Sequence, residues 1–438
     1  MKQITPIAAR KTLLSIIASM QQDPAPFVKD PRKDFTRNRL LPFSDVLLFT
    51  MTCEAHSLSK ELSHYYAPLN SKSVPTKSAY TQQRNKINGD AFPFILSQFN
   101  ELCPVYKKMK DLYIFGIDGS DINIPADKKD CATFIPYPSN NGGYHQLHIN
   151  VLYDLLNNRY SDLLIQPRAE INEASAACEM VDRNTIKEKC LYICDRGYEA
   201  FNLMAHIIEK DHYFLIRAKE ISSRNSSYHS LNLPSSGEFD VDINFLLTRN
   251  QKKQDKSLPQ RKVLQDKSHF DFIAPGDKES VYPLSYRLIK IELGEGAYEY
   301  LLTNLPREVF GLSDMKDLYH LRWKVETSFL FLKYGICLNY FHSYKKENLY
   351  QEIYAKIILF NFIAFIVNRV TVPRKDTKYE YKLSFSDAIY LCSNFLIARK
   401  TWKFTKYELL RHLTPVRPDR TYPRKVLSKR LKPLQHRS

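Results

Sequence analysis

The apolar positions of this chain change period several times, and each change predicts an element. Thr12–Met20 has helical apolar spacing behind Arg10-Lys11 and runs into polar Gln21-Gln22-Asp23-Pro24, which reads as an amphipathic helix and not a cleaved signal. Three short helices follow. Ser44–Thr52 can be capped by Ser44, Ser57–Tyr66 by Ser57, and Lys77–Ile87 by Thr76. The last is polar and cationic, with Lys77, Tyr80, Gln82, Gln83, Arg84, Asn85 and Lys86, so residues 1–105 are expected to be a helical DNA-binding domain of helix-turn-helix type. Lys29, Arg32, Lys33, Arg37 and Arg39 add a basic arm that can lie on phosphates.

From Asp111 the period changes. Leu112–Asp118 is apolar on both faces, as a central strand is, and its turn Asp118-Gly119-Ser120 leaves a carboxylate at the strand's end. His148–Asp154 and Tyr160–Gln166 read as a hairpin about Asn157-Asn158. A helix at Glu173–Val181, a strand at Lys189–Asp195, a helix at Glu199–Lys210 and a strand at Tyr213–Arg217 complete a mixed α/β core over 106–218. Residues 219–305 read as a β-rich insertion, with strands expected at Glu238–Leu247, Phe270–Ile273, Leu284–Leu293 and Glu299–Leu305 around polar Ser223–Ser236 and Arg249–Lys267. The core resumes over 306–370, and 371–438 is a helical and basic tail in which Lys403, Lys406, Arg411, Arg417, Arg420, Arg424, Lys425, Lys429, Arg430, Lys432 and Arg437 outnumber Glu408 and Asp419.

The most informative stretch is Tyr319–Lys333, in a helix predicted to start near Ser313. On a regular helix Tyr319, Arg322, Glu326 and Lys333 share one narrow stripe, beside an apolar stripe of Leu318, Leu321, Val325, Phe329 and Leu332. A carboxylate flanked by two cations and a phenol can be an ordinary solvated face, or it can hold a divalent cation and phosphate oxygens.

Composition narrows the partners. Lys and Arg number 64 against 47 Asp and Glu, a formal charge of +17 that favours a polyanion such as nucleic acid. The eight cysteines form no CxxC pair, a usage suited to a reducing cytoplasm. The most apolar run, Ile353–Val370, contains Lys356, Asn361 and Arg369 and is expected to be a core helix, not a membrane span.

Two buried strands ending in Asp118 and Asp195, and a helix carrying Glu326, supply three hard oxygen ligands from separate elements. Such a cluster repels itself unless a cation neutralises it, and Mg²⁺ suits an incomplete carboxylate shell that leaves room for water and phosphate oxygens. Asp121 competes with Asp118 but should face the other way; Asp154, Asp162 and Asp211 read as turn residues. His145 and His148 also face opposite ways and are not expected to ligate metal. Arg196 and Lys219 flank the proposed site, for DNA contact or ordinary ion pairing.

With those residues in hand, the sequence resembles the IS4 family of bacterial transposases. Tyr319-x2-Arg322-x3-Glu326-x6-Lys333 matches that family's Y-R-E-K signature in full. Asp118-Gly119-Ser120 with Pro125 is similar to its first-aspartate block, with Ser120 where Thr is commoner. Asp195-Arg196-Gly197-Tyr198 with Tyr213–Arg217 is similar to the second. The resemblance implies an α/β, RNase H-like mixed-sheet core interrupted by a β-rich insertion, with Asp118, Asp195 and Glu326 as a DDE triad on Mg²⁺, for which Mn²⁺ can substitute. It further implies binding of terminal inverted repeats and cut-and-paste transfer into target DNA, with hairpin ends as the route of well-studied relatives. It implies a homodimer on double-stranded DNA, in a bacterial cytoplasm at the nucleoid. Tyr319, Arg322 and Lys333 would contact DNA phosphates, and Lys77, Arg84 and Lys86 are the candidate contacts in the N-terminal domain. Trp323 is expected to pack the helix. Some relatives stack a Trp of the insertion on a flipped base; this insertion has none, so either Tyr282, Tyr286 or Phe270 serves or the step differs. Two other readings stand beside this one: an RNase H-like nuclease without strand transfer, and an inactive transposase-derived DNA-binding protein.

Overall fold

The computed structural model describes residues 4–417 apart from 38, 68–73, 128, 138–141, 220, 222–225, 230, 252–259, 295 and 374–376. The basic tail beyond residue 417 and parts of the polar stretches 223–236 and 249–267 therefore lie outside the described residues. Helices α1 (Pro6–Gln22), α2 (Phe43–Thr52), α3 (Leu58–Tyr66), α4 (Lys77–Arg84) and α5 (Ala91–Leu102) come first. Strands β1 (Tyr113–Ile124), β2 (Phe134–Pro136), β3 (Gly143–Asp154) and β4 (Arg159–Pro167) follow, then α6 (Glu173–Asp182), β5 (Cys190–Cys194), α7 (Phe201–Glu209) and β6 (Tyr213–Arg217). The next strands are β7 (Phe239–Thr248), β8 (Arg261–Val263), β9 (Val281–Gly294) and β10 (Ala297–Thr303). Helices α8 (Leu312–His320), α9 (Trp323–Leu330), α10 (Lys346–Val367), α11 (Phe385–Leu396) and α12 (Trp402–Arg411) close the order, with a small hairpin of Tyr381–Leu383 and Leu413–Pro415 around the last two.

The sheet has the arrangement of an RNase H-like core. β4, β3, β1, β5 and β6 lie in that spatial order; β1–β3 and β3–β4 are antiparallel, and β1–β5 and β5–β6 are parallel. The β-rich insertion does not stand apart. β10 pairs antiparallel with β6 and carries β9, β7 and β8 outward, so one sheet continues through both. Phe270–Ile273, expected as a strand, is instead a turn whose Phe270 and Ile273 plug the apolar face of the insertion.

Each face of the sheet has its own core. One joins Ile114 and Ile149 to the N-terminal helices, α9 and α10; the other joins Phe115, Ile117 and Tyr192 to α6, α7 and the insertion. α10 is long and apolar enough to cross a membrane by length and composition, yet 83% of its most apolar window is buried against its neighbours. Its apolar residues all round the helix are what a helix enclosed on every side requires.

Side-chain caps set several helix starts. Thr76 Oγ1 accepts from Ala79 N at 3.2 Å and Asn172 Oδ1 from Ser175 N at 3.0 Å, as N-caps do. Two expected caps are displaced by two residues. α2 begins after Pro42 rather than on a Ser44 cap, and Ser44 N donates instead to Gln21 Oε1 at 3.0 Å. α8 starts behind Gly311, whose N–H donates to Asp314 Oδ2 at 3.0 Å.

Candidate active site

β1 does not end at Asp118 as the turn-like Asp118-Gly119-Ser120 suggests; it runs on to Ile124 because β3 pairs with it through His145. Its parallel pairing with β5 stops at Ile117↔Cys194, so Asp118 and Asp195 are the next residues on two adjacent strands, spaced by about 5 Å of strand separation. Asp195 caps a short turn, its Oδ1 accepting from Gly197 N at 2.7 Å.

Glu326 reaches the same place from a helix. Gly116 stands two residues before Asp118 on the same face of β1, and a Cβ there would lie 2.5 Å from Val325 Cγ2. The missing side chain lets α9 lie directly on the strand, which brings Glu326, the next residue after Val325, beside Asp118. Tyr160 Oη donates to Ser328 Oγ at 2.9 Å, and Lys324 Nζ to Leu155 O at 2.8 Å, fixing the helix along β3 and β4.

The uninterrupted helix expected over Tyr319–Lys333 is not what forms. α8 stops at His320, and Arg322, Lys324 and Val325 each donate to the carbonyl three residues back, at 3.1, 3.0 and 3.0 Å, a tightened turn. After α9 the backbone widens into a π turn over Phe331–Gly335, where Ile336 N donates to Phe331 O at 2.8 Å. The four signature residues therefore sit on three backbone segments, but they still converge on the carboxylate end of β1.

Arg322 is the hub. Its Nη2 donates to Glu326 Oε1 at 2.7 Å, its Nη1 lies 3.6 Å from Asp118 Oδ2, and its Nε is buried with no hydrogen-bond partner. Only 7% of the residue is exposed. Burial pushes the Asp118 carboxyl up to about 7; the Gly119 N–H and Arg322 oppose this, while the nearby charges of Asp195 and Glu326 add to it. Lys333 Nζ donates to Ser120 Oγ and Asp121 O, both at 2.7 Å, and burial lowers its pKa. Tyr319 is buried with an unpartnered hydroxyl, its pKa raised by burial.

The three carboxylates offer oxygen donors, the chemistry of a hard divalent cation. Among the described residues, however, no three His, Cys, Asp or Glu side chains are grouped as a preformed metal cage. The Arg322 guanidinium lies between Asp118 and Glu326 and supplies the positive charge there.

Several neighbours were not foreseen. Glu173 in the first turn of α6 lies 3.1 Å from His148 Nε2, and His148 Nδ1 lies 2.7 Å from Asp121 Oδ1. A Cβ on Gly119 would come within 2.3 Å of His148 Nε2 and 2.7 Å of Glu173 Oε1, so this group backs the Asp118 segment from the other face. Arg217 Nε pairs with buried Glu299 Oε1 at 2.9 Å near Tyr319. No local pattern marks these residues, because pairings across the sheet bring them together. Asp154 accepts from Leu156 N at 3.0 Å and Asn157 N at 2.9 Å, Asp162 pairs with Arg183, and Asp211 pairs with Lys189, as turn and ion-pair residues do. His145 shares a 2.8 Å hydrogen bond with Thr133.

Three expectations need correction. Arg84 is buried and bonded to Glu352, Gln351 and the Asn348 carbonyl, so it faces α10 and not DNA; Lys77 is exposed and Lys86 partly so. Trp323 does not pack the helix: it is 46% exposed, with the Arg322 guanidinium 5.3 Å from its ring centroid. Phe270 and Tyr286 are buried in the insertion's core and are not available to stack on a base, whereas Tyr282 is partly exposed and its Oη donates to Glu209 at 2.8 Å.

No curated protein matches the chain. Among solved structures, a piggyBac transposase synaptic complex with hairpin DNA aligns with a TM-score of 0.48 and 11% identity, covering 94% of this chain and 85% of that one. The family described as Transposase DDE domain matches residues 110–362, more than half of the chain, from the start of β1 through most of α10. The chain belongs to the transposase DDE domain family.

Proposed function

We propose that this protein is a transposase of the IS4 type. It would bind the terminal inverted repeats of its element as a homodimer in a bacterial cytoplasm, cut the DNA there and join the ends to a target. The observation that carries the reading is the convergence of Asp118 and Glu326, more than 200 residues apart, on one guanidinium beside Asp195. The Tyr319, Arg322, Glu326 and Lys333 spacing supports the IS4 assignment. Asp118, Asp195 and Glu326 would hold the divalent cation, Mg²⁺ or Mn²⁺ in its place. When bound, such an ion activates the attacking oxygen and stabilises the leaving one in phosphoryl transfer. Arg322, with an unused Nε–H, and Lys333, held on Ser120 and Asp121 of Asp118's strand, would grip the phosphates flanking the scissile bond. Tyr319 would donate its unpartnered hydroxyl to a phosphate oxygen, and Lys77 and Lys86 would contact DNA away from the carboxylates.

The test uses DNA flanking the gene as substrate. Asp118→Ala, Asp195→Ala and Glu326→Ala should each abolish strand cleavage in Mg²⁺ while leaving DNA binding intact. Cleavage at the unsubstituted rate by any of them removes that residue from the triad. Cleavage without joining by the unsubstituted protein assigns a nuclease instead.

A further inference from the structure

We infer that Glu173 is a fourth carboxylate of the divalent-cation centre, taking the ion together with Asp195 on the side of the site that Arg322 does not serve. Glu173 is the first residue of α6, behind the Asn172 cap. A carboxylate in that position ordinarily does no more than favour the positive end of its helix. The two oxygens of Glu173, however, have different surroundings. Oε1 lies 3.1 Å from His148 Nε2, and His148 is fixed in turn by Asp121 Oδ1, 2.7 Å from its Nδ1. Oε2 borders the space over Gly197, where a Cβ would stand 3.8 Å from it and 2.9 Å from Asp195 Oδ1. Gly197 thus keeps open a gap that the two carboxylates share. Glu173 comes from the face of the sheet opposite to α9, but β5 ends at Cys194 and past Asp195 no longer separates the two faces.

Charge favours this side for the ion. Arg322 bonds to Glu326 and stands 3.6 Å from Asp118. Among the described residues no cationic side chain pairs with Asp195, whose Oδ1 takes the Gly197 N–H. Asp195 and Glu173 repel each other across the gap until a cation joins them, and a hard divalent ion takes such oxygens. The carboxylates are not gathered into a finished cage among the described residues, so ion binding would draw them in.

Tyr198 points to the same ligand independently. It is 1% exposed, yet its hydroxyl has no hydrogen-bond partner. Burial and then the charges of Glu173 and Asp118, with Asp195 also near, raise its pKa, which sets the hydroxyl among the carboxylates. A buried O–H that none of these acids accepts calls for a further oxygen, and the water that Mg²⁺ keeps when protein-bound is one. The inference deepens the transposase reading and rests on it for the triad.

The experiment titrates the full chain with Mn²⁺ alone, without DNA, and reads free ion by electron paramagnetic resonance. Glu173→Gln, which keeps the side chain's shape, should weaken Mn²⁺ binding at least about tenfold, the low end of what loss of even a supporting group costs a metal site. Glu173→Asp should recover part of that loss. A helix-end role alone predicts lower stability of Glu173→Gln in chelator with Mn²⁺ affinity unchanged, and unchanged affinity overturns the inference. A second measurement needs no variant. Fe²⁺ in place of Mn²⁺, with ascorbate and peroxide, should cut the backbone beside Glu173 as well as beside Asp118, Asp195 and Glu326; cuts at the triad without one at Glu173 overturn it too. Mn²⁺ binding lost in Asp195→Ala but kept in Glu173→Gln leaves the triad standing and removes Glu173 alone. An unsubstituted chain that binds no Mn²⁺ removes both.

Discussion

Two buried arginines each meet a carboxylate at close range, and they are held in opposite ways. Arg84 of α4 spends every face of its guanidinium on α10: Nε on Gln351 Oε1 at 3.0 Å, Nη1 on Glu352 Oε1 at 2.6 Å, and Nη2 on the Asn348 carbonyl. Glu352 in turn accepts from His342 N at 3.0 Å. Arg322 touches Glu326 at 2.7 Å, stands 3.6 Å from Asp118, and leaves Nε unbonded. The first is a closed joint between two helices. The second holds hydrogen-bonding capacity in reserve among carboxylates that gain little from one another's company. Buried ion pairs that bond completely belong to the fold, and incompletely bonded ones mark where a ligand completes the set.

The contrast can be broken experimentally, and the closed joint should give the largest effect. Arg84→Met leaves Glu352 buried without its cation and should cost about 3–5 kcal/mol in urea unfolding. A loss near that for Arg322→Met would erase the distinction. Next, Gly116→Ala forces Val325 and α9 off β1 and should cost about 1–3 kcal/mol with loss of cleavage; Gly89→Ala, with open space around it, should do neither.

His148 comes third. Burial lowers its pKa, but its bonds to Asp121 and Glu173 and their charges outweigh that and raise it to about 9, with Lys333 and Arg168 also near Asp121. A folded pKa above an unfolded value of about 6.5 means the stabilisation is full below that pH and lost as pH rises through about 9. His148→Gln should therefore cost about 1–2 kcal/mol at pH 6 and much less at pH 10. A pH-independent difference would detach His148 from its two acids. The smallest effect has the opposite sign: Asp118→Asn, measured in chelator, should stabilise by about 1 kcal/mol while abolishing cleavage, since it removes a buried charge crowded by Asp195 and Glu326. Destabilisation there would make Asp118 a structural residue.

Much of this architecture is legible in the sequence. Leu112–Asp118 and Lys189–Asp195 are apolar on both faces, which is possible only for strands covered on both sides, and they do lie at the sheet's centre. The long apolar run ending near Val370 read as a core helix and is one. Other features were hidden. α4 is polar along its length, and polarity alone does not separate a side chain bonded to water from one bonded to α10, so Arg84 passed for a surface cation. Trp323 carried the reverse error, since its place within the signature suggested packing while its neighbours leave it exposed.

What the sequence determined by itself is what period and neighbours along the chain control: strand and helix type, the Thr76 cap, and which residues carry oxygen or positive charge. Only the tertiary structure decided the tightened turn at Arg322, the widened turn at Phe331–Gly335, and the way Gly116 admits α9. It also decided that Glu173 and His148 stand behind Gly119. Those outcomes depend on contacts between segments tens to hundreds of residues apart, and local periodicity carries no record of which distant atoms will fill a given space.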